Sequence, residues 1–174
     1  MNYKTFETER LLLQPTSVKD APMIYKLLNT PKWLQYIGDR NIKTVTEAKK
    51  YIEKRMLPQL HRLGFGNYTV IRKSDKQKIG SCGLYDREGV EGVDIGFAFL
   101  PQYEQKGYAF EAASCILHAA FYEFNIKTVQ GYTTKQNYGS QKLLEKLGLL
   151  KKGTVTLPDD DEELLLYKIE KVQD

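Results

Sequence analysis

One α/β domain over residues 1–174, a mixed sheet with helices on its faces, is the fold the sequence predicts, and three observations carry it. At 174 residues, 41% hydrophobic and 28% charged, the chain is long enough to bury one core and too short for two ordinary domains. Extended and helical patterns follow the order β-α-α-β-β-β-α-β-α-β-β, as expected when helices cover a sheet. A strand ending at Pro101 meets its helix across one tight turn that carries Gly107.

Leu11, Leu12 and Leu13 make a first apolar strand ending near Pro15, which has no ladder donor. Ser17 or Asp20 caps the next helix, Pro22 suits its first turn, Ile24, Leu27 and Leu28 keep helical spacing, and Asn29-Thr30-Pro31 stops it. Trp33, Tyr36 and Ile37 fall in a short turn-rich stretch. Thr44-Val45-Thr46-Glu47 is a capping box that opens a second helix with Ala48, Tyr51, Ile52, Met56, Leu60 and Leu63 on one face. Pro58 should kink it and Gly64 end it. Asn67 to Ile71 and Lys78 to Tyr85 read as a hairpin around the polar turn Lys73-Ser74-Asp75-Lys76, and Val93 to Leu100 adds a third strand.

Tyr108 to Phe124 is the strongest helix, nearly free of charge and therefore expected to be buried. A strand at Thr128 to Thr133 follows, then a short helix from Ser140 to Leu147 closed by Gly148, and strands at Gly153 to Leu157 and Leu164 to Ile169. The run Asp159-Asp160-Asp161-Glu162-Glu163 between those strands reads as a solvated turn, with a patch attracting a cationic acceptor as the alternative.

The net charge of +4 is spread thinly, so nucleic acid is not expected as a partner and a small anionic ligand is. No apolar run approaches the ~20 residues that span a bilayer, and the chain start lacks the apolar centre of a signal peptide, so a cytoplasmic protein with no membrane partner is expected. Cys82 and Cys115 stand far apart without a Cys or His at metal-ligand spacing, and His61 and His118 form no H-x-x-x-H or H-x-x-E pair. The thiols are expected reduced and packed, with no metal bound.

The strand-to-helix turn aims unpaired N–H groups and the positive end of a helix dipole at one point, which suits a phosphate. Gly107 lets the backbone approach closely, Ala109 keeps the helix start open and Lys106 adds charge. A strand-glycine-helix turn alone also joins elements that bind nothing. No Gly-Lys-Ser/Thr follows it, and it comes after three antiparallel-looking strands instead of opening a βαβ unit, so neither a Walker loop nor a dinucleotide fingerprint is present.

Thr8-Glu9-Arg10-Leu11-Leu12-Leu13, Thr46-Glu47-Ala48, Ile79-Gly80, Asp94-Ile95-Gly96-Phe97, Pro101-Gln102-Tyr103, Lys106-Gly107-Tyr108-Ala109, Asn137-Tyr138-Gly139-Ser140 and Glu145-Lys146-Leu147-Gly148 occur in this order. Together they resemble the GCN5-related N-acetyltransferases, in particular the branch that includes acetyltransferases of ribosomal-protein amino termini, over nearly the whole chain. The resemblance implies a central mixed, mostly antiparallel sheet and acetyl-CoA as cosubstrate. It implies the diphosphate on the amides of Gln105, Lys106, Gly107, Tyr108 and Ala109, and the pantetheine arm along Ala98, Phe99 and Leu100 where two strands splay apart. The family motif begins with Arg or Gln where this chain has Glu104, which removes one side-chain contact and leaves the backbone ones.

For chemistry, the resemblance implies transfer to a primary amine without a covalent enzyme intermediate, the Phe99 or Leu100 N–H facing the developing oxyanion. Many members place an acidic Tyr where this chain has Leu144, and Ser140 is the replacement the branch suggests; a helix-cap hydroxyl is its alternative role. Asn137 corresponds to the residue bonding the pantetheine arm, with an N-cap as alternative, and Asp94 to an acid acting as base through water, with a structural role as alternative. Glu111 is read as capping the helix start, and Trp33 and Tyr36 fall where the family builds its acceptor groove or, alternatively, in the core. The acceptor is a protein or peptide α-amine or a small-molecule amine, and the protein a monomer or homodimer. A non-catalytic coenzyme A-binding module and a nucleotide-binding protein are the competing readings.

Overall fold

The computed structural model describes residues 2–173. β1 (Phe6–Glu7), β2 (Leu11–Pro15), β3 (Asn67–Arg72), β4 (Lys78–Asp86), β5 (Val93–Phe99), β6 (Thr128–Thr133), β7 (Leu150–Thr156) and β8 (Glu163–Glu170) form one sheet in the order β1-β2-β3-β4-β5-β6-β8-β7. Every neighbouring pair is antiparallel except β5 with β6. This is the mixed, mostly antiparallel sheet expected. The sequence reading missed β1, whose two residues pair Phe6 with Leu13 and Glu7 with Leu12 and are too few to show a period.

Ser17 and Asp20 are both used ahead of α1 (Ala21–Leu28), as the two halves of a capping box on a 3₁₀ turn: the Ser17 N–H donates to Asp20 Oδ2 at 2.9 Å. The stretch read as turn-rich is a helix, α2 (Pro31–Tyr36). The Thr30 hydroxyl caps it by accepting from the Trp33 N–H, and Pro31 needs no donor in the first turn. The second long helix is α3 (Val45–Tyr51), a π-helical stretch Ile52–Met56, and α4 (Leu57–Leu63), which ends on left-handed Gly64. Pro58 sits in the first turn of α4, so the irregularity it demands falls in the turns before it.

α5 (Tyr108–Tyr122) lies on one face of the sheet, where Ala112, Ala113, Ile116 and Ala120 pack against Leu11, Val70, Leu84, Ile95 and Val129. On the other face Ile24, Leu27 and Leu28 of α1 pack with Ala48 and Ile52 and reach Leu100, which follows β5. β5 therefore carries Ile95 and Phe99 into the first core, while the alternating residues Ala98 and Leu100 join the second. α6 (Tyr138–Lys146) closes the first face.

Candidate active site

Among the described residues β5 and β6 are the one parallel pair, and their ladder is confined to Val93 with Val129 and Asp94 with Gln130. Beyond that point β5 stays paired to β4, where Gly96, Phe97, Ala98 and Phe99 oppose Gly83, Cys82, Ser81 and Gly80. β6 stays paired to β8 through Thr133. The two strands thus part into a slot whose closed end is at Asp94. The Leu100 N–H donates to the Ile79 carbonyl at 2.9 Å, so it is not available to a ligand. Because successive residues turn their amides to opposite sides of a strand, Phe99 and Phe97 turn theirs to the slot. Of the two amides the sequence offered, Phe99 is the one left free.

At the open end of the slot a 3₁₀ turn (Pro101–Tyr103) leads into residues 104–107, and α5 begins at once. Gly107 is the N-cap with φ +82°, and no side chain caps it. Gln105 is also left-handed, φ +58°, which for a non-glycine residue costs about 1–2 kcal/mol. The first amides of α5 are consequently open to an anion. Glu104 ion-pairs with Lys32 of α2 at 2.6 Å and so ties α2 to the turn. Glu111 does not cap α5: its carboxylate accepts from the Thr8 hydroxyl, the Arg10 N–H and Arg10 Nε at 2.6, 2.8 and 2.7 Å. Burial alone would raise its pKa, but these donors together outweigh that and hold it below the usual carboxylate range.

The start of α6 faces the same region from β6. Asn137 is its N-cap, Oδ1 accepting from the Ser140 N–H at 3.2 Å, so the cap is a carboxamide and the Ser140 hydroxyl is not the capping group. Leu144 is fully buried over β6; a Cβ on Gly131 would stand 2.7 Å from its Cδ2, so this close approach requires glycine. The position where the family often has Tyr is here a packing residue. Thr133 and Thr134, 6% and 4% exposed at the end of β6, have buried hydroxyls with no protein partner. Sequence reasoning missed both, since Thr is ordinary in a strand; only burial marks them.

At the closed end Asp94 is 4% exposed and held by Arg87, Nε and Nη2 donating to its two oxygens at 2.7 and 3.0 Å. Burial pushes its pKa up, and the Arg87 charge only partly opposes this. The Arg87 guanidinium lies near the Tyr85 and Tyr132 rings. Arg87, Tyr85 and Tyr132 were not read from the sequence; a hairpin turn brings Arg87 beside Asp94. On the neighbouring helical layer Trp33 is half-buried against the second core with its Nε1 buried and unpartnered, and Tyr36 is half-buried one turn on. In the acidic turn Glu163 pairs with Lys135 at 2.6 Å and the Asp160 carboxylate accepts from the Glu162 N–H, while Asp159 to Glu162 are exposed, as a solvated turn would be.

The site suits a ligand with an anionic head and a slender amide-bearing arm: open amides at the mouth and strand amides along the slot. Among the described residues no group of three His, Cys, Asp or Glu side chains converges on a metal position.

Residues 10–150 match the family described as acetyltransferase (GNAT) domain. The chain is 28% identical over 146 residues to the uncharacterized N-acetyltransferase YnaD of Bacillus subtilis, covering 84% of this chain and 82% of that one. Its fold is similar to that of a ribosomal-protein-S5-alanine acetyltransferase from Vibrio fischeri, with a TM-score of 0.77, 20% identity and 96% of each chain covered. It is also similar to RimL, a ribosomal L7/L12 α-N-protein acetyltransferase in complex with coenzyme A, with a TM-score of 0.80, 15% identity, and 96% and 98% of the two chains covered.

Proposed function

We propose, from the premise that this chain belongs to the GNAT acetyltransferase family and is an acetyl-CoA-dependent acyltransferase, that its acceptor is a primary amine: the α-amine of a protein or peptide, or a small-molecule amine. The slot between β5 and β6, with the free Phe99 amide along it and the uncapped start of α5 at its mouth, supports the cosubstrate half of this reading, and the likeness to N-acetyltransferases supports the amine.

Bound acetyl-CoA supplies an activated acetyl carbon. The amides of Gln105 to Ala109, with Lys106 beside them, hold its diphosphate; Ala98, Phe99, Leu100 and Asn137 line its arm. An acceptor amine titrates near ~8 as an α-amine or ~10 as a lysine, so it arrives protonated and must lose a proton. Asp94, its proton affinity raised by burial, takes that proton through a chain of waters along the slot, since five strand residues, roughly 16 Å, separate it from Phe99. The Phe99 N–H stabilises the charge that develops on the carbonyl oxygen as the C–N bond forms, and the Ser140 hydroxyl passes a proton to the sulfur as the C–S bond breaks and regains one from the acetylated nitrogen, which sheds its second proton to become the amide. Trp33 and Tyr36 shape the acceptor's approach. Residues 1–174 act as one domain, as a monomer or homodimer, in the cytoplasm; no helix among the described residues is long and apolar enough to cross a membrane.

Thermal melting of the purified protein with acetyl-CoA, and with ATP as control, tests the cofactor: a ligand that binds only the folded state raises the midpoint. Thiol release with a panel of peptides and small amines then tests the acceptor. A melting shift with no thiol release from any amine would replace this proposal by a non-catalytic coenzyme A-binding module.

A further inference from the structure

We infer that Arg10, at the head of β2, is a positioning residue for the diphosphate of the cosubstrate: it locks the turn before α5 in its anion-binding conformation. This rests on the assignment of that turn to the diphosphate.

Three contacts converge on this side chain. Its Nη1 donates to the Lys106 carbonyl at 2.9 Å, inside the turn. Its Nε and its own backbone N–H both donate to Glu111, one turn into α5. The guanidinium lies 4.3 Å from the centre of the Tyr108 ring, on the first residue of that helix. Its Nη2 comes within 3.2 Å of where a side chain on Gly107 would begin.

The turn needs such a hold. Gln105 and Gly107 are both left-handed, and α5 starts without a side-chain cap, so nothing within residues 104–107 fixes the direction of the open amides. Glu104 contributes a negative charge next to the proposed phosphates, and its partner Lys32 is on a mostly exposed helix. Arg10 brings the opposite charge from a core strand, with a planar fork whose two edges reach the turn and the helix together. Glu111 orients that fork, and the Thr8 hydroxyl orients Glu111.

A positioning role makes a specific kinetic prediction. Arg10→Met should raise the Kd for coenzyme A by roughly 10- to 100-fold, as expected when a charge-assisted support joining the turn to α5 is removed. S-acetylpantetheine, a thioester lacking the diphosphate, should be used with the same kcat/KM by Arg10→Met and by the unsubstituted protein. Arg10→Lys, which keeps the charge and loses the fork, should fall between them. Equal loss with both thioesters would mean that Arg10 only supports the fold, and an unchanged Kd for coenzyme A would mean that the turn holds itself; either overturns the inference. Should Arg10→Met fail to fold, the same comparison on Arg10→Lys decides it. Absence of coenzyme A binding by the unsubstituted protein would instead remove the assignment of the turn.

Discussion

Helix α5 buries eight of its fifteen residues, whereas α2 buries none of its six, and the two stand on either side of the proposed reaction path. The proposed cofactor side is mostly main chain, the Phe99 amide and the uncapped N–H groups after Gly107, joined by the Asn137 side chain. The strands and α5 beneath these groups are fixed by the first core, and Arg10 and Glu111 hold the turn between them. The acceptor side is made of side chains on a short helix, with Leu34 and Ile37 43% and 44% exposed. Two different demands are met in this way. On the proposed reading, recognition of an invariant ligand is built into backbone, and acceptor choice is left to side chains on a helix with no fully buried residue.

Substitutions that cross this divide test it, and the largest effect belongs to the turn. Gly107→Val puts a β-branched residue at φ +82° and against Arg10 Nη2, so acetyl-CoA affinity measured by calorimetry should fall several hundredfold, about 3.5 kcal/mol. A loss of less than tenfold would show that the backbone there is not the binding surface. Next come the proposed proton-transfer groups: Asp94→Asn and Ser140→Ala should each lower kcat by roughly 100-fold while the Kd for acetyl-CoA stays within a factor of about two. The rate should rise with pH through an apparent pKa above the usual carboxylate range and lose that limb in Asp94→Asn.

Gly131→Ala should cost about 1–3 kcal/mol in urea unfolding, because Leu144 must move off β6 and carry the start of α6 with it. Stability in acid probes the link between the N-terminal strands and α5. The folded-state pKa of Glu111 is lowered, so its contribution is present above the ordinary value near ~4.3 and is lost as pH falls through the depressed one. Glu111→Gln should flatten the acid limb of a melting-point-versus-pH curve in that window and nowhere else. The smallest effect should come from the acceptor side: Trp33→Phe should alter the acceptor KM by about two- to fivefold and leave the KM for acetyl-CoA unchanged.

The legibility of the site follows the same divide. Gly107 is legible as the glycine of a tight turn directly before a buried helix, and Asn137 through its place in the family segment Asn137-Tyr138-Gly139-Ser140. Asp94 was found without Arg87, whose contact requires the β4–β5 hairpin to close. Glu111 was misread as a cap because its partners Thr8 and Arg10 lie over a hundred residues away in the chain. α2 was read as turns because six residues show no helical period, although Thr30 and Pro31 were available as start signals.

By itself the sequence determined what short-range chemistry controls: most of the strand and helix patterns, the capping box at Thr44, the turn at Gly107 and the burial of α5. Only the tertiary structure decided that β5 and β6 run parallel, touch at two positions and separate, that Leu100 spends its amide on Ile79 while Phe99 keeps its own, and that Arg10 reaches the turn. The physical reason is that propensity and hydrophobic period act within a few residues. Strand partnership and a guanidinium fork spanning two elements are settled by packing among segments far apart in the chain, and no local pattern records which neighbour wins.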